Sequence, residues 1–181
     1  MTEKLLNSVT IKRAEQGDEG ALSHIGAKTF SDKFAHLYDP RDLAMFLEEG
    51  HSVDAYVRHL ADEAIGIWKA VDDAGQIVGY AVAGPCGLPV DGMPAGAMEI
   101  SRLYVDESAQ SGGVGRRLMD AMLEWIDQDG PAPLYLSVFK YNDGAQRFYS
   151  RYGFGFLKEY KYRVGNHFDP EYIFVRNPDL V

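Results

Sequence analysis

The sequence predicts an α/β fold, a mixed central sheet of about six to seven strands flanked by helices. Three observations point to it. Apolar residues recur at helical spacing through residues 18–64, and the period then switches to alternation. A strand, a glycine-rich loop and an amphipathic helix follow one another between residues 97 and 128. Strand and helix patterns keep alternating to the end of the chain, without an obvious linker, so one domain over 1–181 is expected.

Val9 to Ile11 reads as a short first strand. Residues 18–30 read as a helix with Asp18 as N-cap and Leu22, Ile25 and Thr29 on one face. Residues 40–49 and 53–64 read as two more helices, with Pro40 in a first turn and Ser52 as a cap. Ile67 to Val71 and Gln76 to Ala83, separated by Asp73-Ala74-Gly75, predict a hairpin. The stretch PCGLPVDGMPAG has three prolines and three glycines in twelve residues, which excludes regular structure there.

Ala97 to Val105 is the next strand, and Gln110 to Gly115 the glycine-rich loop. Residues 115–128 form the clearest helix. Val114, Leu118, Met122 and Ile126 recur every fourth residue, with Met119 and Leu123 beside them. Leu134 to Phe139 reads as a strand. Residues 142–152 read as a short helix with Ala145, Phe148, Tyr149 and Tyr152 on one face. Phe154 to Tyr162 and Phe168 to Val175 close the chain as strands.

Composition bounds the function. Of 181 residues, 46% are hydrophobic and 25% charged, which excludes a disordered or collagen-like chain. No apolar run approaches the roughly 20 residues of a spanning helix, so no membrane partner is expected. The first twenty residues carry no secretory leader pattern, and the single cysteine, Cys86, can form neither an internal disulfide nor a cysteine zinc site. A cytoplasmic location is the expectation. The net charge of −9 does not suit phosphate-backbone binding, so no nucleic acid partner is expected. The five histidines are scattered, with no HExxH pair, and no metal site is expected.

The sharpest local feature is QSGGVGRR between a strand and an amphipathic helix. Gly112, Gly113 and Gly115 let backbone approach a ligand closely, and the helix start presents free N–H groups and a positive dipole end. Arg116 and Arg117 add cationic support for a pyrophosphate. A Walker loop is absent, because no GK followed by Ser or Thr occurs. A dinucleotide fingerprint is also absent: the loop follows a hairpin mid-chain, and residue 135 is tyrosine where an acid would stand.

Gln110-Ser111-Gly112-Gly113-Val114-Gly115 resembles the Q/R-x-x-G-x-G/A loop of the GCN5-related N-acetyltransferase (GNAT) superfamily. EISRLYV resembles its fourth strand and NDGAQRFYSRYGF its N-x-x-A-x-x-FY-x-x-x-GF segment. Ser111 departs from a position that is often glycine, but its backbone amide is retained. The resemblance implies acetyl-CoA as cosubstrate, with its pyrophosphate on the Gln110–Arg116 loop and its pantetheine in the gap of a splayed fourth and fifth strand pair. By position, main-chain groups of the Leu103-Tyr104-Val105 stretch would pair with pantetheine, and the Leu103 N–H would face the developing oxyanion.

Three side chains acquire roles through the same resemblance. Tyr149 stands at the general-acid position; on pattern alone it reads as a core aromatic. Asn142 stands where the family contacts pantetheine, and also where a helix N-cap belongs. Glu99 matches the general base of the histone-acetylating branch. A period of two places it on one face with Ser101 and Leu103, and its alternative is a surface acid at a strand edge. An acyl-CoA-binding module without catalysis is the competing class; Tyr149 and Glu99 beside an intact loop favour an enzyme.

The acceptor is expected to be a small amine, specifically a polyamine. Residues 39–63 hold seven acids against Arg41 and Arg58, and Phe30, Phe34 and Tyr38 recur every fourth residue with Asp32 between them. Asp32, Phe34 and Tyr38 are the expected acceptor contacts, an apolar channel with carboxylates suiting a slim polycation. The alternative is amphipathic packing with a solvated acidic face. TFSDKF and YKYRVGNHFDPEYIF loosely resemble the spermidine/spermine-acetylating branch. A protein N-terminus, a lysine or an aminoglycoside-like amine are the other acceptors, and the family habit of pairing leaves a homodimer open.

Overall fold

A computed structural model describes residues 9–176. The sequence expectations for the first eight residues lie outside this range. The elements are β1 (Thr10–Arg13), α1 (Glu19–Phe34), α2 (Pro40–His51), α3 (Val53–Ala61), β2 (Gly66–Val71), β3 (Ile77–Pro85), β4 (Met98–Val105), α4 (Val114–Ile126), β5 (Leu134–Phe139), α5 (Asp143–Ser150), β6 (Gly155–Val164) and β7 (His167–Arg176). Short 3-10 turns occupy Ala35–Leu37 and Glu107–Gly112.

The seven strands form one sheet in the order β1-β2-β3-β4-β5-β7-β6. All pairs are antiparallel except β4 and β5. That parallel pair is short: it holds only from Met98–Leu134 to Ile100–Leu136, and then the strands splay. The last strand inserts between β5 and β6, an order that no local pattern encodes.

Alternation along the strands sorts side chains to two faces. Trp68, Ala70, Ala81, Ala83 and Ile100 pack under Val114, Leu118, Met119 and Met122 of α4. On the opposite face, Ile67, Tyr80 and Val82 pack against Leu22 and Ile25 of α1 and Tyr56 of α3. A third cluster of Phe30, Phe34, Phe46 and Val164 joins α1 and α2 to the β6–β7 hairpin. The hairpin tip, Gly165, sits at φ +60, and a Cβ there would overlap Asp42 of α2. Only glycine meets both demands. Asp42 then accepts the Asn166 N–H at 2.8 Å, which pins the hairpin to α2.

Several local readings need correction. Asp18 precedes α1 but does not cap it; its carboxylate accepts from Lys69 Nζ at 2.6 Å instead, a half-buried ion pair outcompeting an exposed cap. Helix α1 runs on to Phe34, because Phe30 and Phe34 are both buried. Helix α3 stops at Ala61, where Asp62 turns to extended backbone and accepts from the Ala64 N–H.

Candidate active site

The site begins with a bulge. Ile100 pairs with Ala83 and Arg102 with Val82, so Ser101 is an extra residue on β4. Before it, the Met98 N–H donates across to Pro133 beside β5. After it, the Asp106 N–H donates to Val78 on β3, so by alternation the main-chain groups of Leu103 and Val105 turn away from β3 toward the splay. Without the bulge, Arg102 and Tyr104 would hold that edge.

The bulge also corrects the predicted strand face. Leu103 and Val105 join Ile100 in the core under α4. Arg102 and Tyr104 emerge on the face that Glu99 occupies. Glu99 does not share a face with Leu103, because one inserted residue shifts the period of two.

Splayed strands, the start of α4, and the α1–α2 wall enclose a cavity of about 930 Å³. Leu103, Tyr104, Val105, Gln110, Gly113, Gly115 and Arg116 line one part of it. Asn142, which precedes α5, and Ala145 and Tyr149 of α5 form its side; Phe34, Tyr38, Glu99, Arg102, Asp169 and Glu171 surround its far end, and Asp32 lines it where Lys28 joins it to Asp106. Of the predicted site residues, Gly112 and Val114 are not in the wall, and the Ser111 side chain lies outside the described residues. Val114, the first residue of α4, is buried against the sheet instead.

The loop end presents an uncapped helix start. Gly113 has φ +70, and no side chain caps α4, so its first N–H groups are open to the cavity. A Cβ at Gly113 would meet nothing within 4 Å, and one at Gly115 only Val105 Cγ2 at 3.8 Å. The need for glycine is therefore conformational at Gly113, while the space over both is open for a ligand. Gln110 Nε2 donates to the Val105 carbonyl at 3.1 Å, tying the loop to β4. Arg116 is exposed at this end. Arg117 turns the other way, to the Val9 carbonyl, and is not part of the cavity wall. Loop, gap and uncapped helix start thus fit a pyrophosphate with a pantetheine arm.

Asn142 caps α5, its Oδ1 accepting the Ala145 N–H at 3.2 Å, while the residue still lines the cavity. Tyr149 packs edge-on against Phe148 and Phe154, so it is partly a core aromatic, and it also faces the cavity. Burial, and then the nearby Glu171 carboxylate, raises its phenol well above its ordinary value. The hydroxyl is thus held protonated.

Three carboxylates converge at the far end. Glu99 is pushed above the usual carboxylate range by burial, opposed by the Gly87 N–H that donates to its Oε2 at 3.0 Å. Asp169 is buried and accepts from Tyr38 Oη and, at 3.2 Å, lies by His167 Nε2. Glu171 on β7 went unnoticed in the sequence. Its Oε2 is buried with no hydrogen-bond partner among the described residues. Burial raises its carboxyl to about 7; a Ser137 hydrogen bond lowers it, and Asp169 and Glu99 raise it further. Only its place on a strand inserted beside β5 could have marked it, and that order is not written locally.

The three residues expected at the acceptor sort unequally. Phe34 is buried in the wall and Tyr38 stacks on Phe30 with ring centroids 5.9 Å apart. Asp32 stands exposed at the rim with its carboxylate paired to Lys28 at 2.7 Å. None of the seven acids of residues 39–63 lines the cavity. Asp39 caps α2, Asp42 holds the hairpin, and Glu48, Glu49 and Asp54 lie exposed on helix surfaces. Amphipathic helices turn charges to water, so that acidic stretch is a solvated face. Among the described residues no group of His, Cys, Asp and Glu could hold a metal ion, and no helix is long and apolar enough to cross a membrane.

Residues 29–154 match the profile of the family described as Acetyltransferase (GNAT) family. An uncharacterised N-acetyltransferase of Mycobacterium tuberculosis is 29% identical over 159 residues, spanning 88% of this chain and 97% of that one. A spermine/spermidine N(1)-acetyltransferase of Bacillus subtilis is 30% identical over 86 residues, 47% of this chain and 57% of that one. Among solved structures, the PaiA N-acetyltransferase of Thermoplasma acidophilum in complex with coenzyme A superposes with a TM-score of 0.73 at 16% identity, covering 94% of this chain and 99% of that one.

Proposed function

Since the chain belongs to the GNAT acetyltransferase family, we propose that it transfers acetyl from acetyl-CoA to the primary amine of a small acceptor bound at the carboxylate end of this cavity. The observation that carries the acceptor's place is Glu171, a buried carboxylate with a free Oε2, in one cavity with Tyr149. Acetyl-CoA supplies the activated acyl group, and the residues of the chain do the rest.

The N–H groups that open α4, with Arg116, hold the pyrophosphate. The main-chain edge of Leu103 and Val105 aligns the pantetheine, and the Leu103 N–H donates to the carbonyl oxygen as negative charge develops there. Glu171 removes the ammonium proton, since its carboxyl titrates at about 7, near the working pH. Tyr149 gives its proton to the departing sulfur. As the C–N bond forms and the C–S bond breaks, the second N–H proton leaves the amine and passes through water to the Tyr149 phenolate, restoring the phenol. Glu99, already bonded to Gly87 N–H, stands as a second base or as a counter-charge for the incoming cation.

For the acceptor, the polyamine reading is supported by the three carboxylates Glu99, Asp169 and Glu171 and by the local similarity to the Bacillus spermine/spermidine enzyme. A second reading, an amine that also bears an acid group, is favoured by Arg102, which lines the same cavity. The lone, half-buried Cys86 supports a cytoplasmic placement. The deciding experiment is thiol release from acetyl-CoA with spermidine, butylamine and 4-aminobutyrate at low and high ionic strength. No release with any amine, while coenzyme A still binds, would leave a non-catalytic acyl-CoA-binding protein. For a polyamine, kcat/KM must exceed that of butylamine and fall with salt.

A further inference from the structure

The acceptor cavity has two poles, and only one is explained by amine chemistry. Besides the carboxylates, the same end of the cavity holds Arg102, delivered to this face by the bulge at Ser101. Its guanidinium donates to the Tyr56 hydroxyl at 3.1 Å and to the Gly50 carbonyl at 2.6 Å, and lies 5.4 Å from the Tyr56 ring centroid. Gly50 is in the last turn of α2, so the helix dipole offsets part of the charge. Among the described residues, no carboxylate forms an ion pair with Arg102.

A guanidinium has five N–H donors, and among the described residues two are used. Next to it, His59 also lines the cavity, and its Nδ1 is buried without a partner among the described residues. His51 is held neutral, its pKa lowered to about 3 by burial and then by the Arg102 charge. His59 shifts down for the same two reasons. The positive potential of Arg102 therefore dominates this pole. A half-buried charge without a counter-ion favours a ligand that brings one.

We propose that Arg102, with the unpartnered Nδ1 of His59 beside it, is an anion-binding pole that selects acceptors carrying a carboxylate as well as the amine. The acceptor class is then a small amino acid, its ammonium at Glu171 and its carboxylate in the guanidinium fork. This rests on the proposed acetyl transfer for the amine end. A polyamine would place an ammonium against Arg102 and lose on Coulomb grounds. Charged hydrogen bonds of this kind are worth about 10-fold to 100-fold in binding.

The test is titration calorimetry on the protein saturated with coenzyme A, which needs no turnover. Amino carboxylates from glycine to 6-aminohexanoate are each compared with the n-alkylamine of matching chain length, and with spermidine. At least one amino carboxylate is expected to bind 10-fold or more tightly than its alkylamine. That gap closes to about 1 in Arg102→Gln and narrows in Arg102→Lys, which keeps the charge without the fork. The alkylamine titration within each variant controls for folding, because the gap is a ratio. No amino carboxylate exceeding its alkylamine, spermidine binding tightest, or a gap unchanged in both variants overturns the proposal. A gap that is present with no thiol release from acetyl-CoA sustains the anion pole and refutes the acetyl-transfer reading instead.

Discussion

The hydroxyl of Tyr38, just past α1, donates to the buried carboxylate of Asp169 on β7, across 131 residues of sequence. This bond and the stacking of Tyr38 on Phe30 close the carboxylate end of the cavity. Tyr38→Phe keeps the ring and removes the donor. It is expected to cost about 1–3 kcal/mol, the penalty of a buried acceptor short of a partner, and to raise KM for the amine with little change for acetyl-CoA. Denaturant unfolding and steady-state kinetics check the two effects. An unchanged amine KM would remove Tyr38 from the acceptor wall.

Glu171→Gln should lower kcat by on the order of 10²–10⁴-fold and abolish the rise of kcat/KM with pH through about 7. Glu99→Gln should leave that limb in place. The stability effect has the opposite sign. Folding holds the Glu171 proton up to about 7 rather than the usual 4.5, so the wild type loses stability as pH rises across that window. Removing the carboxylate therefore stabilises the protein at pH 8, by an order of 3 kcal/mol for a shift of this size. A variant less stable at pH 8 and still active would exclude Glu171 as the base.

Tyr149→Phe leaves the contacts with Phe148 and Phe154 in place. Turnover should fall on the order of 10²–10⁴-fold while coenzyme A affinity and unfolding midpoint hold. Wild-type turnover would return Tyr149 to the status of a core aromatic.

Gly115→Asp places a carboxylate in the first turn of α4, where the dipole favours it and space exists. The fold is expected to keep its stability, yet coenzyme A should no longer raise the melting temperature, as a ligand bound only to native protein otherwise must. Gly115→Ala serves as the neutral control. Equal protection of the aspartate variant would refute the loop as the pyrophosphate site.

Gly26 of α1 lies where a Cβ would overlap the Tyr56 hydroxyl and His51 Nδ1, the groups that border Arg102. Helix propensity alone would make Gly26→Ala stabilising by about 1 kcal/mol. Overpacking of roughly 1–3 kcal/mol opposes it, so a net loss is expected in thermal unfolding. A gain would mean that this polar cluster yields easily.

The sequence by itself determined the element order, from alternation in the strands and the fourfold spacing of Val114, Leu118, Met122 and Ile126. It also determined the glycine-rich start of α4, because Gly113 answers to its own φ and the open N–H groups to their own helix. These are short-range properties of backbone and period. The tertiary structure alone decided the carboxylate end of the cavity. One inserted residue at Ser101 turned Arg102 and Tyr104 to the face of Glu99. The insertion of β7 between β5 and β6 brought Glu171 into the cavity with Tyr149 and Glu99. Solvation on amphipathic helices carried the acids of residues 39–63 away from it. Strand order and bulge register depend on contacts between distant segments, and burial of a carboxylate, which makes it a base near pH 7, exists only once those segments meet.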